Sequence, residues 1–400
     1  MLIELWIAVI AAFFALAAAF WFLGWRWESR LVRPKAKGYR PFVSIIIPAF
    51  NSEKTIAATV RSAKAVAYDR KEIIVVNDSK DMTPRICRKL GVRVIQNRKR
   101  MGKCHALNLA AKKAKGDILF FLDADTTVDS DAVSKIIPWF SRKKIAVVSP
   151  RYVAQESRKL LPKLASIENK FDSSLFKAHM FFGSMISFRG CGVAIRRSFF
   201  EKAGGWSETL IEDVDFAAKT LKSGKKIQYE PQAVVRTREC ETVAQLKSQR
   251  VRWGKGSAYS FINYRSMYSG NKQFTLHFFP YIFLILAICG IFTWQLYLFV
   301  PLMFFYFLYS FSFSNLASTA LVLLIPLLYG IFAVIVTGGL GHLTIITWRE
   351  RERTQDIILL IPYLFFYLPL VIFFYFKGII SGFSQRRYSK NEFDLEDWKC

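Results

Sequence analysis

Asp123 and Asp125 stand one residue apart in Phe-Phe-Leu-Asp-Ala-Asp-Thr, at the end of the apolar run 118–122. Two carboxylates at the end of a buried strand repel each other unless a cation or a ligand lies between them. Flanking one small residue, they can hold Mg2+ or Mn2+ through oxygen ligands. Hard cations of this kind take one or two protein carboxylates and complete their shell with phosphate oxygens. Such an ion would stabilise a diphosphate as a leaving group. The same spacing also occurs in solvated turns, so the pair acquires meaning only from its company.

That company lies downstream. Glu212 and Asp213 open the helical stretch Glu-Asp-Val-Asp-Phe-Ala-Ala-Lys. Acids there can simply complement the helix dipole, or Asp213 can act as a general base toward an attacking hydroxyl. Further on, Gln249-Arg250-Val251-Arg252-Trp253 is flanked by Lys247 and Lys255. These cations form either a solvated basic face or a phosphate clamp suited to the guanidinium fork, with Trp253 offering a flat face to a sugar ring.

Such side chains need a scaffold. Apolar, β-rich runs at 43–50, 72–78, 92–97, 117–125 and 145–150 alternate with helical stretches at 52–68, 83–90, 102–115 and 129–142. This alternation predicts a mostly parallel sheet covered by helices on both faces. Ligands of such sheets bind beyond the carboxyl ends of the strands. Asn51, Asn77, Asp78, Asp123 and Asp125 would all gather on that rim.

The 400 residues carry 57 Lys+Arg against 30 Asp+Glu, a net charge of +27. Nucleic acid, anionic lipid and a phosphorylated substrate could each explain that excess. No zinc-finger, RRM or KH signature is present, which sets nucleic acid aside. The six cysteines form no CxxC pair, which argues against a disulfide framework and fits a reducing cytoplasm.

The composition is uneven along the chain. Residues 1–24 are apolar apart from Glu4 and long enough to cross a bilayer. The cluster Arg26, Arg30, Arg33, Lys35, Lys37 and Arg40 follows, which by the positive-inside rule lies in the cytoplasm. The expected organisation is a transmembrane anchor at 1–24, a basic juxtamembrane linker at 25–40 and a cytoplasmic catalytic domain at 41–255. An interfacial segment at 256–273, C-terminal transmembrane helices within 274–380 and a polar tail at 381–400 complete it. Arg349, Arg351 and Arg353 and the tail both favour the inside, so the sequence leaves the topology of the last spans open.

The series 48–51 (PAFN), 75–81 (VVNDSKD), 102–108 (GKCHALN), 122–126 (LDADT), 211–215 (IEDVD) and 249–253 (QRVRW) resembles the family 2 inverting glycosyltransferases. It is most similar to their membrane-embedded branch, the hyaluronan, chitin, cellulose and poly-N-acetylglucosamine synthases. The resemblance implies a GT-A domain inserted between an N-terminal transmembrane helix and a C-terminal bundle. It also implies a UDP-sugar donor and Mg2+ or Mn2+. Pro48, Ala49, Phe50, Asn51, Asn77 and Asp78 would then line the uridine pocket, with Lys103 near the base or diphosphate. Asp123 would contact the nucleotide and Asp125 the metal. Asp213 would be the base, supported by Glu212. Gln249, Arg250, Arg252 and Trp253 would close over the diphosphate and shape the acceptor site, with Gly190 and Cys191 facing the acceptor. Asn77 stands where the family often has an acid, and residues 48–52 read PAFNS rather than PxYNE.

Three functions follow for comparison. A processive synthase would extend a polysaccharide and export it between the C-terminal spans, with or without an accessory export protein. A single-addition enzyme would glycosylate a polyprenyl-phosphate lipid at the membrane surface. A non-catalytic protein would use its basic surface on anionic lipid or polymer and would need no divalent metal.

Overall fold

In a computed structural model of the protein, residues 22–97, 99–268, 359 and 362–384 are described. The chain divides into two compact units, Met1–Phe22 with Thr275–Phe366, and Leu23–Phe274 with Tyr367–Cys400. The first contributes only Phe22, Leu359 and 362–366 to the described residues. The second holds the sheet and the helices around it. The anchor expected at 1–24, the spans expected before residue 362 and the tail at 385–400 lie almost wholly outside the described residues. Among the described residues no helix is long and apolar enough to cross a membrane.

The sheet has eight strands: β1 (Val43–Ala49), β2 (Lys71–Asn77), β3 (Arg93–Gln96), β4 (Ile118–Phe121), β5 (Thr127–Val128), β6 (Ile145–Ala154), β7 (Val193–Arg196) and β8 (Lys226–Thr237). Their order is β3-β2-β1-β4-β7-β6-β8-β5. The first half meets the expectation, since β1 pairs in parallel with both β2 and β4, and β2 with β3. These strands carry uninterrupted apolar runs because both faces are covered; Ile45, Ile46, Ile47, Ile74, Val75, Val76, Leu119 and Phe120 are all buried. The second half is mixed. Strand β7 runs antiparallel to β4 and β6, and β5 antiparallel to β8. This reversal matters for the site, because the chain enters β7 from the same rim at which β4 ends.

Around the sheet stand a helix over 22–29 (α1), α2 (Ile56–Ala65), α3 (Thr83–Lys89), α4 (Lys103–Lys113), α5 (Ala132–Ile136), α6 (Leu160–Phe181), α7 (Arg197–Lys202), α8 (Glu212–Lys222), α9 (Val243–Tyr268) and α10 (Leu368–Ser384). The helix expected over 129–142 is instead the short α5 followed by a 3-10 turn, Ile137–Ser141. Pro138 explains the change, having no N–H for the α ladder. The 22-residue α6 had no counterpart among the sequence-based elements.

Helices α9 and α10 cross at touching distance. A Cβ on Gly254 would lie 2.1 Å from the Tyr375 carbonyl oxygen, and one on Gly378 2.2 Å from that of Val251. Only glycine permits two backbones to approach this closely. On its other side α9 meets the entry to α8, where a Cβ on Gly256 would strike Ile211 at 2.5 Å.

Candidate active site

The rim forms where growth of the sheet reverses. From β1 the chain adds β2 and β3 on one side, then β4 on the other, leaving a crevice beyond the ends of β1 and β4. Strand β4 stops at Phe121 rather than running to Asp125, because the chain turns there: Thr126 N–H donates to the Asp123 carbonyl at 3.0 Å. The turn is braced from outside. Thr59 of α2 donates to the Ala124 carbonyl at 2.9 Å, and Gln155 Nε2 to that of Asp125 at 2.9 Å.

The two acids of the turn have different surroundings. Asp123 is paired with Lys103 Nζ, 3.0 Å from Oδ1. Asp125 accepts from the Thr126 hydroxyl at 3.3 Å. Burial and the neighbouring Asp123 push its pKa up to about 6. A desolvated carboxylate beside a like charge is what a cation would relieve. Among the described residues no three His, Cys, Asp or Glu side chains cluster as metal ligands, and Asp123 and Asp125 are the two carboxylates of the turn. Two are sufficient for Mg2+ or Mn2+ when a diphosphate provides the rest.

Lys103 joins the two acidic motifs. Its ammonium also lies 3.1 Å from Glu212 Oε1, at the first turn of α8. Burial works against both charges, yet Asp123 and Glu212 raise Lys103, and Lys103 lowers Glu212, from their ordinary pKa values. Gly102, at φ +89, starts α4 and so aims Lys103 at the rim. Asp78 fixes that start, accepting from the N–H groups of Met101 at 3.0 Å and Gly102 at 3.1 Å, and from Asn97. Asp78 therefore holds the loop that delivers Lys103. Neighbouring Asn77 is fully buried, with both amide hydrogens donated, to Ser79 and Gln96. It lies within the fold rather than at the rim.

Asn51 is the only non-glycine with positive φ among the described residues, at 50°. This left-handed kink, which asparagine tolerates, turns the chain at the end of β1 beside half-buried Pro48 and Phe50 and the buried Ala49. The Arg100 guanidinium lies over the Phe50 ring, 4.1 Å from its centroid.

Asp213 is half-buried one residue beyond Glu212. Its Oδ2 accepts the Gly190 N–H at 2.9 Å and its Oδ1 the Val214 N–H at 2.8 Å. Burial, then Glu212, pushes its pKa up to about 6. A base with that value is ionised at neutral pH yet retains appreciable basicity. Gly190 and Cys191 precede β7 and adjoin the acids. The Cys191 thiol, raised by burial and by Asp123, stays neutral.

The pentapeptide 249–253 divides in two. Arg252 reaches the site's edge, donating to the Leu210 carbonyl at 3.2 Å and adding positive charge near Glu212. Arg250 does not reach the rim. It is buried, pairs through Nη1 and Nη2 with Glu168 at 2.9 and 2.6 Å, donates to the Tyr367 hydroxyl at 3.2 Å and stacks on Trp253 at 4.3 Å. Its fork serves a carboxylate of α6 rather than a phosphate. Gln249 and Trp253 are half-buried on the same stretch of α9. Thr59, Tyr152, Gln155, Glu168, Asp172 and Arg189 support the site without having been singled out in the sequence. Each acts across a long sequence separation, so no local pattern marks it.

Residues 44–204 match the family described as glycosyl transferase family 2. Curated relatives include a probable glycosyltransferase, YdaM, of Bacillus subtilis, 30% identical over 248 residues, 58% of this chain and 59% of that protein. Poly-beta-1,6-N-acetyl-D-glucosamine synthase of Staphylococcus aureus is 30% identical over 225 residues, 54% of each chain. Beta-monoglucosyldiacylglycerol synthase of Trichormus variabilis is 28% identical over 258 residues, 62% of this chain and 55% of that protein. The matches thus span little more than half the length of these relatives. Among solved structures, the mannosyltransferase PcManGT from Pyrobaculum calidifontis, in complex with GDP-Man and Mn2+, superposes with a TM-score of 0.58 at 20% identity. The superposition covers 97% of this chain and 100% of that one, a likeness of fold. With rim, turn and acids arranged as above, residues 44–204, the stretch that matches glycosyl transferase family 2, lie on a GT-A-like α/β scaffold with a mixed sheet.

Proposed function

We propose that the protein is a membrane-bound inverting glycosyltransferase that moves a sugar from a UDP-sugar to a growing polysaccharide. The observation that carries the reading is the separation of two carboxylate environments on one rim. Asp125 is crowded by Asp123, which Lys103 pairs, in the turn after β4, while Asp213 at the start of α8 is held by the Gly190 and Val214 N–H groups.

In this reading the acceptor hydroxyl gives its proton to Asp213 as its oxygen attacks C1 of the donor sugar. The C1–O bond to the diphosphate breaks in the same displacement, and the anomeric configuration inverts. Lys103 and Arg252 offset negative charge around the departing UDP. Mg2+ or Mn2+ held by Asp125 and Asp123 would supply electrophilic stabilisation of that leaving group. Asn51 and Phe50, at the kink after β1, and the Asp78-braced loop would frame the nucleoside.

The apolar segments at 1–24 and after residue 274 support the membrane assignment, with the domain on the cytoplasmic side and the product leaving between the later spans. The S. aureus relative is named for a polysaccharide product. The T. variabilis relative is named for a glycolipid, and this favours the second reading, single transfer to a lipid acceptor.

The decisive experiment gives purified protein in detergent a panel of UDP-sugars with Mg2+, Mn2+ or EDTA, reads freed UDP and sizes the product. A metal-dependent ladder of polymers is expected. A single glycolipid would establish the second reading, and UDP release indifferent to EDTA would contradict the metal assignment.

A further inference from the structure

The peptide between Arg189 and Gly190 is gripped from both ends. On one side the buried Tyr152 of β6 donates its hydroxyl to the Arg189 carbonyl at 2.7 Å, with the Ser149 hydroxyl 2.9 Å from the same phenol oxygen. On the other, the Arg189 side chain is tied to α6. It donates to Asn169 Oδ1 at 2.7 Å, pairs with Asp172 and lies 4.0 Å from Glu239. Its guanidinium also covers the Tyr152 ring, 5.6 Å from the centroid. The N–H of this peptide is the one that donates to Asp213 Oδ2.

A clamp of this kind sets a direction. An amide plane held at its carbonyl and at the preceding side chain cannot rotate, so its N–H must point where the clamp sends it. Here it points at one oxygen of the carboxylate. Gly190 itself packs against both acids: a Cβ there would lie in van der Waals contact, 3.4 Å from Glu212 Oε1 and 3.6 Å from Asp213 Oδ2.

We propose that Tyr152 and the Asp172–Arg189 pair are positioning residues for Asp213, holding the 189–190 peptide so that its N–H fixes the orientation and proton affinity of the base. The proposal rests on the reading of Asp213 as that base. The groups facing Asp213 are Glu212 on its own helix, Lys103 from α4, Tyr152 from β6 and the N–H groups of Gly190 and Val214. Of these, Lys103 and the Gly190 and Val214 N–H groups favour the ionised carboxylate, while Glu212 opposes it. Loosening the clamp weakens the Gly190 contribution and raises the proton affinity of Asp213.

The test is the pH profile of kcat/KM for Tyr152→Phe and, independently, Asp172→Asn, with UDP affinity measured on the same preparations. In each variant the acidic limb moves upward by about half a pH unit, so activity near pH 6 falls about two- to threefold more than at pH 8. UDP affinity stays unchanged. A purely structural weakening would lower the whole profile without moving its limb, and that result would overturn the proposal. Asp213→Asn run alongside separates the two claims. If it keeps full turnover, the base reading fails and the clamp with it. If it loses turnover while neither variant moves the limb, only the clamp fails.

Discussion

Asp123 and Glu212 share one counter-ion: Lys103 Nζ lies 3.0 Å from the first and 3.1 Å from the second. The lysine therefore joins the turn after β4 to the start of α8, two elements brought together only by the fold. Removing it in Lys103→Met leaves Glu212, 4% exposed, without its cation. A loss of about 3 kcal/mol of stability is expected, since an orphaned buried charge is costly. UDP affinity should fall about tenfold or more. Thermal melting and UDP titration measure the two effects separately, and unchanged UDP affinity would reduce Lys103 to a structural brace.

The pH dependence has a definite sign. Asp213 must be ionised to accept a proton, and its pKa is pushed up to about 6 by burial and Glu212. Activity should accordingly be full above about pH 7 and fall tenfold per unit well below 6. A profile of kcat/KM in a metal-saturated assay checks this. An acidic limb near 4, the ordinary carboxylate range, would contradict the assignment.

Asp125→Asn should abolish stimulation by Mg2+ or Mn2+, lowering turnover at least about 100-fold. Its neutral amide relieves the crowding with Asp123, so the variant should melt no lower than the parent. Metal titrations of UDP release and a melting curve decide both points.

Arg250 and Glu168 make a stability prediction in place of the phosphate clamp expected from 249–253. Glu168→Gln leaves a buried guanidinium short of its counter-charge and should cost about 3 kcal/mol. The double replacement Glu168→Leu with Arg250→Met should recover most of that loss. Denaturant unfolding of the single and double variants measures the difference.

The parallel half of the sheet was legible because buried strands advertise themselves as apolar runs ending in polar residues, as Val43–Ala49 and Ile118–Phe121 do. The acids of the site were legible for the same reason, since Asp123 and Asp125 interrupt such a run. The antiparallel β7 was not, because direction depends on where a long excursion through α6 returns the chain. Nor was the fate of Arg250. A basic pentapeptide looks alike whether its fork meets a phosphate or a carboxylate, and Glu168 lies on a helix that the sequence pattern did not reveal. Asn77 reads as a rim residue by position, yet its amide is consumed by Ser79 and Gln96, a choice made by neighbours rather than by local sequence.

The most direct measurement compares Asp213→Asn with the parent for UDP binding and for sugar transfer in the same metal-saturated preparation. The account predicts UDP affinity within about twofold of the parent and transfer reduced by at least about a thousandfold. Transfer at the parent's rate would contradict it, because some other group would then be taking the acceptor's proton.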